Sequence, residues 1–241
     1  RDISVWQFQV LRTALMVPLV VGMSLAGLGT LRPRRWRPVL ARAVMITISM
    51  MLYFASLGVM PISQAVAGLF TSPIFVLLIN VIVLRQRIGL WRSGAVLIGF
   101  VGILLVLQPG GQDFGPLMLM PVAAGFFYAI SAIATRSWCQ GETALAMLGT
   151  NMAMLGIAGL AMASLVGGVI PVGDSFMTRS WTWELAPVLP WIVLQAVGSV
   201  TGVFLIIRAY QLDEPTNVAV FEYSIMVFAP FFAWVLFAQT L

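Results

Sequence analysis

The chain has no histidine, no lysine and a single cysteine, Cys139, among its 241 residues. Without imidazole there can be no His-ligated metal and no imidazole acid–base catalysis. One thiol closes neither an internal disulfide nor a thiolate metal cluster, so no metal or other cofactor is expected. Without lysine the Gly-x-x-x-x-Gly-Lys phosphate loop cannot be written. Charge is also scarce: 9% of residues are charged, against about 25% in a soluble domain. The chain opens on Arg1 and shows no cleavable leader pattern.

What remains is apolar. Hydrophobic residues make up 61% of the chain and the mean hydropathy is +1.01. Apolar runs of about 18 residues or more recur along the whole length, which predicts an all-α integral membrane protein. Lipid offers no partner to a bare backbone N–H or C=O, so the spans must be helices. Arg, Gly and Pro punctuation places eight of them near 5–29, 38–58, 62–84, 90–108, 116–136, 143–170, 186–211 and 215–240.

Arginine sets the orientation. With the 32–42 loop inside, ten arginines fall on the cytoplasmic side, Arg42 among them, and Arg1, Arg12 and Arg179 fall on or near the outer side. A net charge of +5 therefore reads as loop charge and not as a nucleic-acid surface. The expected partners are the lipid bilayer and a small-molecule substrate, with a homodimer admissible. Pro18, Pro73, Pro121, Pro190 and Pro230 lie within spans and are expected to bend them. Gly22/Gly27 and Gly156/Gly159 read as helix-packing positions.

The sequence repeats itself. Leu52-Tyr53-Phe54-Ala55, then Pro61 and Ala65, matches Ile206-Ile207-Arg208-Ala209, then Pro215 and Ala219. Leu11-Arg12-Thr13 matches Leu148-Gly149-Thr150. These matches align the first three spans with the last three, and the odd number of helices between partners inverts one repeat relative to the other. Inverted repeats are the architecture of many secondary transporters, with the site between the halves near mid-membrane. The register implies one more helix before the first span and one after the eighth.

Tyr53-Phe54-Ala55, Pro61, Ala65, Thr71-Ser72-Pro73-Ile74-Phe75, Leu84-Arg85-Gln86-Arg87-Ile88-Gly89 and the Gly94/Gly99/Gly102 helix ending at Gln108-Pro109-Gly110 together resemble an EamA domain. The second half, with its Phe221-Glu222-Tyr223 run, resembles another. The resemblance is to the drug/metabolite transporter superfamily, whose members typically have ten helices in two inverted halves of five. It implies a first repeat over 1–112 that lacks its first helix and a second over 113–241 that lacks its last. It also implies a multi-pass protein of a bacterial inner membrane. Where the family commonly has Gly-Glu at the end of its fourth helix, this chain has Arg85-Gln86 and Ala238-Gln239. Both read as helix-end caps.

Few residues can carry transport. Glu222 sits about seven residues, or roughly 10 Å, into the last span. It would bind a cationic or hydroxyl-bearing substrate or exchange a proton; a structural hydrogen bond is the alternative. Arg12, in the first span, would either snorkel to the headgroups or answer an anionic substrate group. A direct ion pair between these two is not expected, because they lie toward opposite faces. Tyr53, Gln64, Asn80, Tyr128, Ser131, Asn151, Gln195, Tyr210, Asn217 and Tyr223 could line a cavity; most such residues make interhelical hydrogen bonds. Tyr53, Asn80 and Tyr223 stand foremost as substrate residues.

The expected function is a secondary transporter moving a small metabolite or drug-like solute by alternating access. A membrane-embedded enzyme would need paired acids, a Ser with its base or a metal cage. The alternatives are such an enzyme, a channel, or a structural fragment without transport activity.

Overall fold

The structure is a computed structural model that describes residues 3–86, 89–107, 116–166, 168–170, 172–173, 175–225 and 228. These residues form helices and connections, with no β-strand among them. The helices are α1 (Val5–Leu25), α2 (Trp36–Ser56), α3 (Ile62–Leu69), α4 (Ser72–Leu78), α5 (Leu90–Leu107), α6 (Leu119–Ser137), α7 (Ala144–Leu165), α8 (Leu189–Leu212) and α9 (Pro215–Glu222). Among the described residues, six helical segments are long and apolar enough to cross a membrane; the 64–83 stretch counts as one of them. Large apolar side chains such as Ile98, Leu105 and Leu205 face outward, as lipid contact requires. Arg87, Gln108-Pro109-Gly110, Pro230 and Ala238-Gln239 lie outside the described residues.

Local chemistry sets the ends. The Ser4 hydroxyl accepts the Gln7 N–H to cap α1, and Thr143 caps α7 by accepting from Ala146. After α1 the chain turns at Gly27, where φ is 81°, a left-handed conformation that glycine enters without a Cβ clash. Pro190 and Pro215 stand in the first turns of α8 and α9, and Pro121 near the start of α6. First-turn N–H groups need no intrahelical partner, so proline fits there. Pro121 and Pro190 therefore start helices instead of bending them, contrary to the sequence expectation.

The third span departs most from expectation. It breaks into α3 and α4 at Phe70-Thr71, then widens into a π-helical turn over Ile79–Val83. Pro73 explains the break: it has no N–H to donate, and its ring would clash with the Leu69 carbonyl four residues back. The freed end closes locally, with the Thr71 N–H and hydroxyl both donating to the Gly68 carbonyl, at 3.2 and 2.7 Å. α6 seats in the gap through a glycine. A Cβ on Gly125 would stand 2.8 Å from the Leu69 carbonyl oxygen and 3.1 Å from the Ser72 nitrogen.

α1 packs on α7 and α2 on α6; α2 also rests on α7, and α1 on α8. Met16, Val20, Val39, Leu145, Leu148, Leu155 and Val200 form the core of this arrangement. Gly156 and Gly159 bring α1 and α7 together: a Cβ on Gly156 would meet the Thr13 methyl at 2.8 Å. Both ends of the bundle are tied. At one end the Val5 N–H donates to Phe176 O at 3.0 Å and the Trp6 indole to Met177 O at 2.9 Å. The 171–185 connection thus lies across the start of α1. At the other end Glu142, between α6 and α7, holds the entry to α2.

Candidate functional site

α1, α2, α6, α7 and α8 line a cavity of about 120 Å³. Its polar lining includes Arg12 from α1, Arg42 from α2, Tyr128 and Thr135 from α6, Asn151 from α7 and Tyr210 from α8. Met50, Leu155 and Val203 are among its apolar walls.

Arg42 is a correction to the sequence reading, which placed it in a cytoplasmic loop. α2 begins at Trp36, so Arg42 is almost two turns inside the helix and is buried. Its Nε donates to Thr135 Oγ1 at 2.8 Å, and that hydroxyl donates onward to the Ser131 carbonyl at 2.9 Å. Its Nη1 is buried without a partner. Arg12 is also buried and does not snorkel. Its guanidinium carbon lies 5.8 Å from the centroid of the Phe54 ring, a cation–π contact, and its Nε has no hydrogen-bond partner. Asn151 Oδ1 is likewise buried and unanswered.

Glu222 stands behind the cavity wall. Its Oε1 accepts from the Tyr128 hydroxyl at 2.8 Å and from the Tyr210 hydroxyl at 3.0 Å. Both tyrosines line the cavity, so the carboxylate reaches it through them. No contact joins Arg12 to Glu222 among the described residues.

The other sequence candidates lie elsewhere. Tyr53 is half-buried on α2, its ring 5.6 Å from that of Phe54. Asn80 is buried in the π-helical turn and donates to Val76 O at 2.7 Å. Tyr223 packs against Gly99 of α5, in a cluster with Ala67, Ile103 and Met118. None of the three lines the cavity. Tyr128, Asn151 and Tyr210 were among the wider set of polar candidates; Arg42 was not. The signal that could have found it is spacing, since it lies six positions beyond Trp36 and the intervening Val39-Leu40-Ala41 is apolar. Among the described residues no group of three or more Cys, Asp or Glu could hold a metal.

Comparison with known proteins places this bundle. Residues 1–108 match the EamA-like transporter family. A protein named as an S-adenosylmethionine uptake transporter of Rickettsia bellii is 25% identical over 213 residues, 88% of this chain and 68% of the relative. One named as a riboflavin transporter of Vibrio cholerae is 25% identical over 211 residues, 86% of this chain and 66% of the relative. The chain thus spans about two thirds of the length of these relatives. A protein crystal structure superposes with a TM-score of 0.79 over the whole chain and 81% of its own, at 16% identity, which bears on fold alone. By class, this is a multi-pass helical membrane protein, and its bacterial relatives point to an inner membrane. Its first 108 residues carry an EamA-like domain, in line with the resemblance to the drug/metabolite transporter superfamily.

Proposed function

We propose that the chain carries a small metabolite across the membrane by alternating access around the α1/α2/α6/α7/α8 cavity. One observation carries the reading: a cavity lined by unanswered polar groups lies among helices drawn from both sequence repeats, 1–112 and 113–241. The packing supports the repeat. In the sequence register α1 answers to α7 and α2 to α8; α2 rests on α7 as α1 rests on α8. The third members also correspond. α3 and α9 are each eight residues long, and each ends in a three-residue turn, Thr71 N–H to Gly68 O and Ser224 N–H to Phe221 O. Interrupted helices at matching positions of two inverted halves mark the binding region in many carriers. Glu222 ends α9 at that interruption. The transporter names of the relatives support a non-enzymatic role.

Within this reading Glu222 and Arg12 serve binding or coupling, Glu222 through the two tyrosines that report its charge to the cavity. The test is Glu222→Gln, which keeps an oxygen acceptor for the tyrosines and removes the charge. The variant is expected to insert and fold normally while solute counterflow in proteoliposomes falls at least tenfold. Counterflow at the parental rate would remove Glu222 from the mechanism. Absence of saturable counterflow in the parent, across a metabolite panel, would defeat the carrier reading itself.

A further inference from the structure

Two arginines line one cavity, and neither is bonded to an acid among the described residues. Arg12 and Arg42 are 7% and 5% exposed, and Asn151 is 3% exposed. A guanidinium at this depth in a bundle is tolerated when it is paired or faces a polar cavity, and leaving one unpaired is strongly unfavourable. The chain has eight acidic residues, yet none of those described bonds to either arginine. Glu222, which sits behind two tyrosines of the cavity wall, takes its described donors from those tyrosines, Tyr128 and Tyr210. Thr135 answers only the Nε of Arg42. Among the described residues, Arg12 Nε and Arg42 Nη1 are therefore buried donors without an acceptor, and Asn151 Oδ1 is a buried acceptor without a donor.

That combination describes a ligand. A planar guanidinium matches the oxygens of a carboxylate or phosphate. The unanswered amide oxygen calls for an O–H or N–H on the same molecule. The space is suitable: about 120 Å³ is close to the roughly 150 Å³ cavity that admits benzene. We propose that Arg12 and Arg42 bind the anionic group, carboxylate or phosphate, of the transported solute, and that Asn151 Oδ1 accepts from a hydroxyl or ammonium beside it. That the occupant is transported rests on the carrier reading; the anion site itself stands on this geometry.

The experiment is thermal melting of the purified full chain in lipid-free detergent, titrated with inorganic phosphate or acetate against chloride at equal ionic strength. The expected result is a saturable rise in melting temperature with phosphate or acetate and none with chloride. Arg42→Met and Arg12→Met are each expected to weaken the half-saturating concentration at least tenfold without lowering the ligand-free melting temperature, because each removes a buried charge that no described acid answers. Arg42→Lys, which keeps the charge and loses the fork, should retain part of the response.

The proposal is overturned by a parent that shows no saturable shift, by a shift that survives Arg42→Met, or by an Arg42→Met protein that no longer folds. Protection by phosphatidylglycerol alone, with none by phosphate or acetate, would assign the site to a lipid headgroup and overturn it as well. Counterflow in proteoliposomes separates the two readings. A protein that phosphate protects but that performs no counterflow keeps the site and loses the carrier. Counterflow of a panel solute that Arg42→Met leaves unchanged keeps the carrier and loses the site.

Discussion

Glu142 and Arg42 are buried to the same degree, each 5% exposed, and differ in what surrounds them. Glu142 has its charge answered on both oxygens. The Arg34 N–H donates to Oε2 at 2.8 Å and the Arg35 N–H to Oε1 at 2.7 Å. Its own carbonyl accepts from Gln211 Nε2 at 2.7 Å, so one residue ties the α1–α2 connection, the α6–α7 connection and the end of α8. Arg42 has one neutral acceptor and a donor left over. A buried charge whose partners are built into the chain holds structure. One whose partners are missing is stable only with something else present. Total burial does not distinguish the two; hydrogen-bond accounting does.

The largest effect expected from this contrast is on stability. Glu142→Ala leaves two backbone N–H groups without their charged acceptor, and bonds of that kind contribute about 1.5–3 kcal/mol each. A loss of roughly 3 kcal/mol or more follows, read as a fall in melting temperature in detergent. Removal of Arg42, by contrast, should not lower it. Equal destabilisation by the two substitutions would break the comparison.

A smaller effect can be read at Cys139, which lies beyond the end of α6 near both charges. Burial pushes its thiol from the ordinary 9.0 up to about 11; Arg42 pulls it down, Glu142 pushes it up and Arg35 pulls it down, in decreasing order of influence. Near pH 8 the thiolate is then rarer than in an ordinary thiol by a factor on the order of 100, and maleimide labelling should be correspondingly slow. The two charges act on this thiol with opposite sign. Glu142→Gln removes a negative neighbour and should speed labelling, whereas Arg42→Met removes a positive one and should slow it further. Because the chain has no second cysteine, the rate reports this position alone. Changes in the same direction would show that packing, and not charge, controls the thiol.

The contrast also shows where sequence reading works. Hydropathy placed α1, α2, α6, α7 and α8 within a few residues, because lipid imposes one rule on every spanning segment. It missed the break in the third span. Pro73 was visible, but whether proline bends a helix or ends it depends on what seats in the gap, and here that is Gly125 of α6. It read Arg42 as loop charge because five arginines between 32 and 42 look like one cluster; the helix start at Trp36 separates them. Among polar residues it preferred Tyr53, Asn80 and Tyr223 to Tyr128, Asn151 and Tyr210. Which face of a span points inward cannot be read when the helix is apolar all round, since no polar face marks the lipid side. Glu222 was legible because it is a lone acid deep in a span; its tyrosine partners, 94 and 12 residues away in sequence, were not.

The smallest effect expected isolates the cause of Glu142's stability. Arg34 and Arg35 are both exposed cations beside a buried acid, and a sequence-level account would pair the charges. The structure instead uses their backbone N–H groups, which survive any substitution except proline. Arg34→Ala should therefore leave the melting temperature unchanged within error, as most exposed substitutions do. Arg35→Ala should have a small effect, because its Nη2 also donates to Trp138 O at 3.1 Å and Gln140 O at 3.0 Å, exposed bonds that water can replace. High salt should alter neither result, since the clamp acts between a carboxylate and neutral peptide dipoles, not between two ions. A large loss in Arg34→Ala, screened by salt, would mean that Glu142 is held by cation charge after all. The contrast with Arg42 would then be one of sign and not of satisfaction.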